Sequence, residues 1–337
     1  MIRSVAPGDL WSLRRKPRNQ VVLYTEGLLA QAHRPAWFAL RCLVQGPGRD
    51  RSTVVYQDRG GGGIIQAQGR GGRPEQDIIY MATVGANASR LPSDYELWYR
   101  LLERIVVQAG HGHVQRLYAA APAQQAEVRE IFRQVGFQAY AHCTILHLSG
   151  PDWDQGTSLA SMRYQARRDH WAVHKLYGAT TPHMVQLAEV RNARHWALPM
   201  SGAWRGVRRA AWVLGPDDDL VAYLRLASGA SGHVFSILIR PDARDAAVDV
   251  LRFGLAQLSD TRPVYLLLRE YQGELLAPAE DLGFQPIGEQ ALLVKSTVVP
   301  VRRPLLVPHL EPGLEPRVTA HRIATPREDS QRYDRPT

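Results

Sequence analysis

Short β-branched runs that alternate apolar and polar residues recur along the chain, each bounded by glycine, proline or charge. The runs "STVVYQD", "GIIQAQ" and "DIIYMATV" predict three consecutive strands. The glycines and arginines around the middle one, "RGGGGIIQAQGRGGRP", then fall at two hairpin turns. Glycine accepts positive φ there without a Cβ clash. Leu97, Leu101, Leu102, Ile105 and Val106 follow at helical spacing. Ser93 and Glu96 form a capping box just after Pro92, and Gly110 stops that helix. "VQRLYAAAP" predicts a strand, "AQQAEVREIFRQVGF" a helix ending at Gly136, and "YAHCTILHL" a further strand.

The same order returns in the second half. "ARRDHWAVHKLYGATTP" and "HMVQLAEVRNARHWAL" predict helices. "RRAAWVLG", "LVAYLRLA" and "HVFSILIR" predict strands, "RDAAVDVLRFGLAQL" a helix and "PVYLLLRE" a strand. "GELLAPAEDLGF" predicts a helix ending at Gly283, and "QALLVKST" a closing strand. Gly136-Phe137 and Gly283-Phe284 occupy matching places, as expected of a duplicated domain. The pattern predicts an α/β (α+β) fold with domains at 1–150 and 151–300. Residues 301–337, rich in proline and arginine, read as an extended tail.

Composition narrows the function classes. The 337 residues carry a net charge of +9, almost all of it as arginine, since Lys16, Lys175 and Lys295 are the only lysines. That favours acidic partners and says nothing about fold. No DNA- or RNA-binding motif accompanies the charge, which argues against a nucleic-acid partner. Contact of Arg59, Arg70 and Arg73 with nucleic acid stays open beside the turn reading. The glycine stretch lacks the Gly-Lys-Ser/Thr ending of a phosphate-binding P-loop. Two cysteines, Cys42 and Cys143, give no disulfide framework and suit a reducing compartment. With no secretory or membrane-spanning pattern, the expectation is a cytoplasmic protein without a membrane partner.

The repeated order of elements resembles the GNAT N-acetyltransferase superfamily in tandem, over residues 1 to 298. The resemblance implies two GNAT-like domains, each a mixed, mostly antiparallel twisted sheet flanked by helices. It implies an acyltransferase that takes acetyl-CoA or another acyl-CoA as co-substrate and acylates a small-molecule or peptide amine. The family binds acyl-CoA where its fourth and fifth strands splay apart. The pyrophosphate rests on amides at the start of the next helix, where the helix dipole favours negative charge.

In the second copy "ILIRPDARDAAVDVL" matches this approach, and the resemblance implies cofactor contacts from Leu238, Ile239, Arg240, Arg244, Asp245, Ala246 and Ala247. It also implies a backbone donor for the thioester oxygen between Leu238 and Arg240. Gln272, and Gln125 in the first copy, stand eleven residues before the two repeat glycines, near the family's cofactor-binding asparagine. Surface glutamine is the alternative for both.

The sequence also departs from the family. Ala247 and Asp249 replace loop glycines. Phe132 and Ala279 stand where many members carry the tyrosine that protonates the leaving thiolate. A non-catalytic pseudo-acetyltransferase, acting as a binding or scaffold protein, is therefore the alternative. No residue is singled out as the catalytic base or acid, and a homo-oligomer stays open.

Other chemistry-bearing residues read as structural. His111 and His113, and the i, i+4 pair His170 and His174, lack a metal-ligand set around them, so no metal is expected. Asp217 to Asp219 read as a charged hairpin tip, with a base for the acceptor amine as the lesser reading.

Overall fold

The alternating runs do form strands, and the strands join one sheet. The computed structural model describes residues 2–46, 50–58, 61–85, 93–150, 161–198 and 206–297. The tail 301–337, Arg59, the first-copy loop 86–92 and Trp204 lie outside the described residues.

The first half contains β1 (Ile2–Ser4), α1 (Asp9–Ser12), β2 (Asn19–Val22), α2 (Glu26–Ala30) and α3 (Pro35–Gln45). The meander β3 (Arg51–Asp58), β4 (Gly61–Gly69) and β5 (Glu75–Val84) follows, then α4 (Asp94–His111), β6 (Arg116–Pro122), α5 (Ala126–Gln134) and β7 (Gln138–Leu148). The second half begins with β8 (Arg163–Tyr164), α6 (His170–Thr180) and α7 (His183–Glu189). Its meander is β9 (Val207–Leu214), β10 (Ala222–Gly229) and β11 (Gly232–Ile239). Then come α8 (Ala247–Ala256), β12 (Val264–Arg269), α9 (Leu276–Glu280) and β13 (Gln285–Ser296).

The repeat glycines confirm the correspondence at the level of backbone. Gly136 and Gly283 take φ of +88° and +87°, a left-handed turn that side chains disfavour. Each following phenylalanine N–H reaches back into the helix it leaves, Phe137 to Phe132 O at 3.0 Å and Phe284 to Ala279 O at 3.1 Å. Both phenylalanine rings are buried. Ser93 caps α4, its hydroxyl accepting from the Glu96 N–H at 3.2 Å, but the capping box is only half formed, because the Glu96 carboxylate takes Arg100 at 2.5 Å.

The strand order is β1-β3-β4-β5-β6-β13-β7-β12-β11-β10-β9-β8, with β2 added beside β5. The halves therefore exchange their last strands. β13 of the second half runs antiparallel between β6 and β7 of the first, and β7 pairs with β12. The pleat of β13 suits two environments. Ala291 and Leu293 point into the core under α4 and α5, and Leu292 points to the opposite face with Cys143 and Val185. On the first of these faces α8 and α9 cover the second half.

Two pairs in this sheet are parallel, β5 with β6 and β11 with β12. Each pairs over only four positions. The β11–β12 ladder ends at Ser236 and Leu267, after which the strands part.

Four helices differ from the sequence expectation: α4 runs on through Gly110 to His111 and ends at Gly112, whose N–H reaches Gln108 O. α7 stops at Glu189 because Val190 turns left-handed, at φ 44° and ψ 50°. A 3-10 turn, Ala193–Trp196, replaces the rest of that predicted helix. The stretches before α8 and α9 are likewise 3-10, Pro241–Ala246 and Glu270–Leu275.

Candidate functional site

The opening between β11 and β12 gives onto a cavity of about 780 Å³ on the sheet face that carries Gln290 and Leu292. Residues of α2, of the β4–β5 turn and of the stretch from Glu189 to Leu198 also line it. Both halves build it. The Tyr118 hydroxyl donates to Ala188 O at 2.9 Å, and Gln290 Nε2 to Tyr24 O at 3.2 Å.

Ten arginines and three carboxylates, Glu26, Asp77 and Glu189, line the cavity. Glu26 opens α2 and receives Arg209 at 3.4 Å and Arg225 on the neighbouring strand. Glu189, the last residue of α7, receives Arg191 at 2.8 Å, Arg269 at 3.3 Å and the Tyr177 hydroxyl at 3.0 Å. The left-handed Val190 between Glu189 and Arg191 lets both neighbours reach this group. A β-branched residue is rarely found in that conformation, which persists only where its surroundings enforce it. Arg191 also lies over the rings of Tyr177 and Trp196, 5.5 and 5.1 Å from their centroids.

Burial alone would raise the pKa of both glutamates. The field of Arg191, Arg269 and Arg70, with the Tyr177 hydrogen bond, outweighs it and holds Glu189 down to about 2. Arg225, Arg209 and Arg191 likewise hold Glu26 below the usual range. Arg191 thus acts on both glutamates, and Arg225 feels Glu189 as well as Glu26. Burial pushes the hydroxyls of Tyr118, Tyr140, Tyr177, Tyr223 and Tyr271 up, so the cavity tyrosines stay protonated donors at neutral pH. His195 is held down to about 4 by burial, with Arg73, Arg191 and His174 adding to it. Its Nδ1 accepts the Asn192 N–H at 3.0 Å, which leaves the ring proton on Nε2.

The turn arginines do more than turn the chain. Gly71 and Gly72 take positive φ as expected. Arg70, however, forks onto Asp77 and lies 3.6 Å from the Tyr118 ring centroid. Arg73 donates to Glu189 O at 2.9 Å and pairs with Glu75 at 2.6 Å, tying the first half to the end of α7.

The structure divides the expected cofactor residues. Leu238 and Gln272 line the cavity. Gln272 is buried: its Nε2 donates to Ile237 O at 2.8 Å and its Oε1 accepts the Arg269 N–H at 3.0 Å. It therefore bridges the two strands where they part. Its counterpart Gln125 is exposed ahead of α5. The Arg240 N–H is taken by Val221 O at 2.9 Å, so strand alternation turns the Ile239 N–H to the open side. The Arg240 side chain is held by Asp219 at 2.9 Å and Asp242 at 2.6 Å. Arg244 is 55% exposed and only loosely paired with Glu274, at 3.8 Å. Asp245 is exposed, Ala246 packs against the core and Ala247 is buried beneath α8.

Asp217 pairs with Arg163 and Arg168, so the acidic hairpin tip is structural. Phe132 and Ala279 are buried in the two cores. Among the described residues no group of three His, Cys, Asp or Glu is placed to hold a metal ion, and no helix is long and apolar enough to cross a membrane.

A meander, a parallel pair that parts after four residues, and a helix next in sequence after the first strand of that pair occur twice. A solved GCN5-related N-acetyltransferase from Sphaerobacter thermophilus is similar in fold, with TM-score 0.52 and 14% identity over 89% of this chain and 96% of that one. The chain carries the GNAT fold in tandem. A tandem GNAT protein from the clavulanic acid biosynthesis pathway is also similar, with TM-score 0.49 and 15% identity over 89% of this chain and 99% of that one. Neither a family model nor a curated protein matches the sequence.

Sequence reasoning missed the Glu26 and Glu189 groups of this tandem GNAT fold. The signal was a charge in or ending an apolar strand, Arg225 in "AYLRLA" and Arg269 ending "YLLLR". Charged residues are rarely buried without partners, so each implied one.

Proposed function

We propose that the chain is a GNAT-type N-acyltransferase that takes an acyl-CoA at the β11–β12 opening and acylates an amine held in the central cavity. The observation that carries this reading is the parting of β11 from β12 directly above that cavity. Leu238 and Gln272 line the inner end of the opening. Arg240, Arg244, Asp245, Ala246 and Ala247 lead from it to the start of α8, where the exposed Arg244 suits a phosphate, while the Ala247 N–H is already taken by Arg244 O. The Ile239 N–H is the donor turned toward the opening, in place of the Arg240 N–H, which Val221 occupies.

Bound there, an acyl-CoA would supply an activated thioester. The chain's own contribution is positional and electrostatic. Ile239 presents a fixed N–H to a developing negative oxygen. The Tyr223 hydroxyl, which no described residue hydrogen-bonds, can take the proton of the attacking amine as it gives its own to the leaving thiolate. Glu26 and Glu189 are committed to arginine pairs, which makes them orienting groups and poor bases. His195 has its Nδ1 lone pair engaged, so it donates through Nε2.

A second reading, a non-catalytic binding protein, is favoured by one observation: Gln272 ties Ile237 O across the opening. Calorimetric titration with acetyl-CoA and with longer acyl-CoAs separates the two. Saturable binding that Arg244→Glu weakens supports the enzyme; absence of heat with every acyl-CoA supports the second reading.

A further inference from the structure

The two ion-pair groups of the cavity wall share an imbalance. Glu26 alone serves Arg209 and Arg225, and Glu189 alone serves Arg191 and Arg269. Each group keeps one positive charge that its carboxylate does not cancel. The four arginine side chains retain 22 to 27% of their surface, and all four line the cavity. Partners are also missing at the atomic level. Among the described residues none hydrogen-bonds Arg225 Nε, Arg269 Nη1 or the Tyr223 hydroxyl, all shut off from bulk solvent, and Tyr223 is 2% exposed on the cavity wall. Cohesion between the halves would be served by one carboxylate per arginine. A surplus of two part-buried positive charges, on guanidinium groups that the protein does not saturate, is a wall incomplete without an anion.

We propose that the central cavity binds a small organic dianion, held between the Glu26 group and the Glu189 group by their surplus arginine charge. Its class is a dicarboxylate or a phosphate monoester, which share two negative charges and acceptor oxygens that match guanidinium forks. The proposal rests on the cavity and not on acyl transfer. If acyl transfer also holds, the dianion is the natural source of the acceptor amine, carried on the same molecule.

The full-length protein, without any CoA, is titrated calorimetrically at neutral pH and low salt with glutarate, glycerol 3-phosphate and acetate. Glutarate or glycerol 3-phosphate binds, and whichever does names the class. Acetate binds at least about tenfold more weakly, since it can meet only one of the two surpluses. Arg225→Gln and Arg269→Gln each weaken the dianion about tenfold or more, while Arg168→Gln, paired at the remote hairpin tip, leaves it unchanged. Glu26→Gln has the opposite sign, because it enlarges the surplus and tightens the dianion. Circular dichroism confirms that each variant is folded. Should the arginine variants unfold, salt dependence of parent binding and the Glu26→Gln shift carry the test. Equal binding of acetate, absence of heat with both dianions, or unchanged affinity in folded arginine variants overturns the proposal. So does competition by CoA, which would assign the anion site to the thioester's own phosphates. A dianion that binds while no acyl-CoA does leaves this inference standing and removes acyl transfer.

Discussion

Gln272 Nε2 donates to the carbonyl oxygen of Ile237 at 2.8 Å, spanning two parallel strands at the point where they separate. One side chain thus replaces the ladder bond that the parting removes. Its carbonyl end accepts the Arg269 N–H, so both ends of the amide are engaged. Gln272→Leu keeps the volume and strands two buried backbone groups. A loss of about 1–3 kcal/mol in unfolding free energy is expected. Urea denaturation measures it, and an unchanged midpoint would mean that water or a backbone shift replaces the bridge.

Arg244 carries the phosphate part of the proposed function. It is half exposed and loosely paired, so its reversal should leave stability nearly unchanged. Arg244→Glu is expected to weaken acyl-CoA binding by about 1–3 kcal/mol, the scale of a hydrogen bond to a charged group. Titration of the folded variant decides this, and parental affinity would move the phosphate site away from α8.

The exchange of β7 and β13 makes the halves interdependent. A fragment of residues 1–150 lacks the strand that lies between β6 and β7, and exposes two unpaired edges. It is expected to be unfolded or aggregated. The full chain should melt in a single calorimetric transition with matching calorimetric and van't Hoff enthalpies. Two resolved transitions would contradict the coupling.

His195 gives a pH window with a definite sign. Its folded value is about 4, below the ordinary 6.5. The unfolded chain therefore binds the extra proton first. The neutral ring's contribution is fully present above pH 6.5 and is lost as the pH falls towards 4. His195→Asn should flatten the decline of melting temperature across that window, and an identical slope in variant and parent would remove the assignment.

Much of the fold was legible because short apolar runs bounded by turn residues mark strands covered on both faces. "LVAYLRLA" and "HVFSILIR" became β10 and β11 for that reason. The strand exchange was not legible, since "QALLVKST" alternates equally well beside either copy's neighbours. The helical pattern after Pro182 continued to Trp196, yet the chain turned at Val190 to seat Glu189 and Arg191. That constraint is tertiary, and no local propensity reports it. The charge groups were half legible: Arg225 stood out in its strand, but Glu26 lies 199 residues away in "TEGLLA". Gln272 was found through its spacing from Gly283, while its task of closing the strand gap needed coordinates.

Strand order also sets a timetable for synthesis. β6 and β7 leave the ribosome well before the strand that fills the slot between them, which follows only after the whole second meander, α8, β12 and α9. Until residue 296 is free, the first half holds an open seam with hydrogen-bonding edges on both sides. At about 5–20 residues per second that exposure lasts on the order of ten seconds. The nascent protein is therefore at its stickiest just before β13 emerges, and overproduction without chaperones is where that should first be seen.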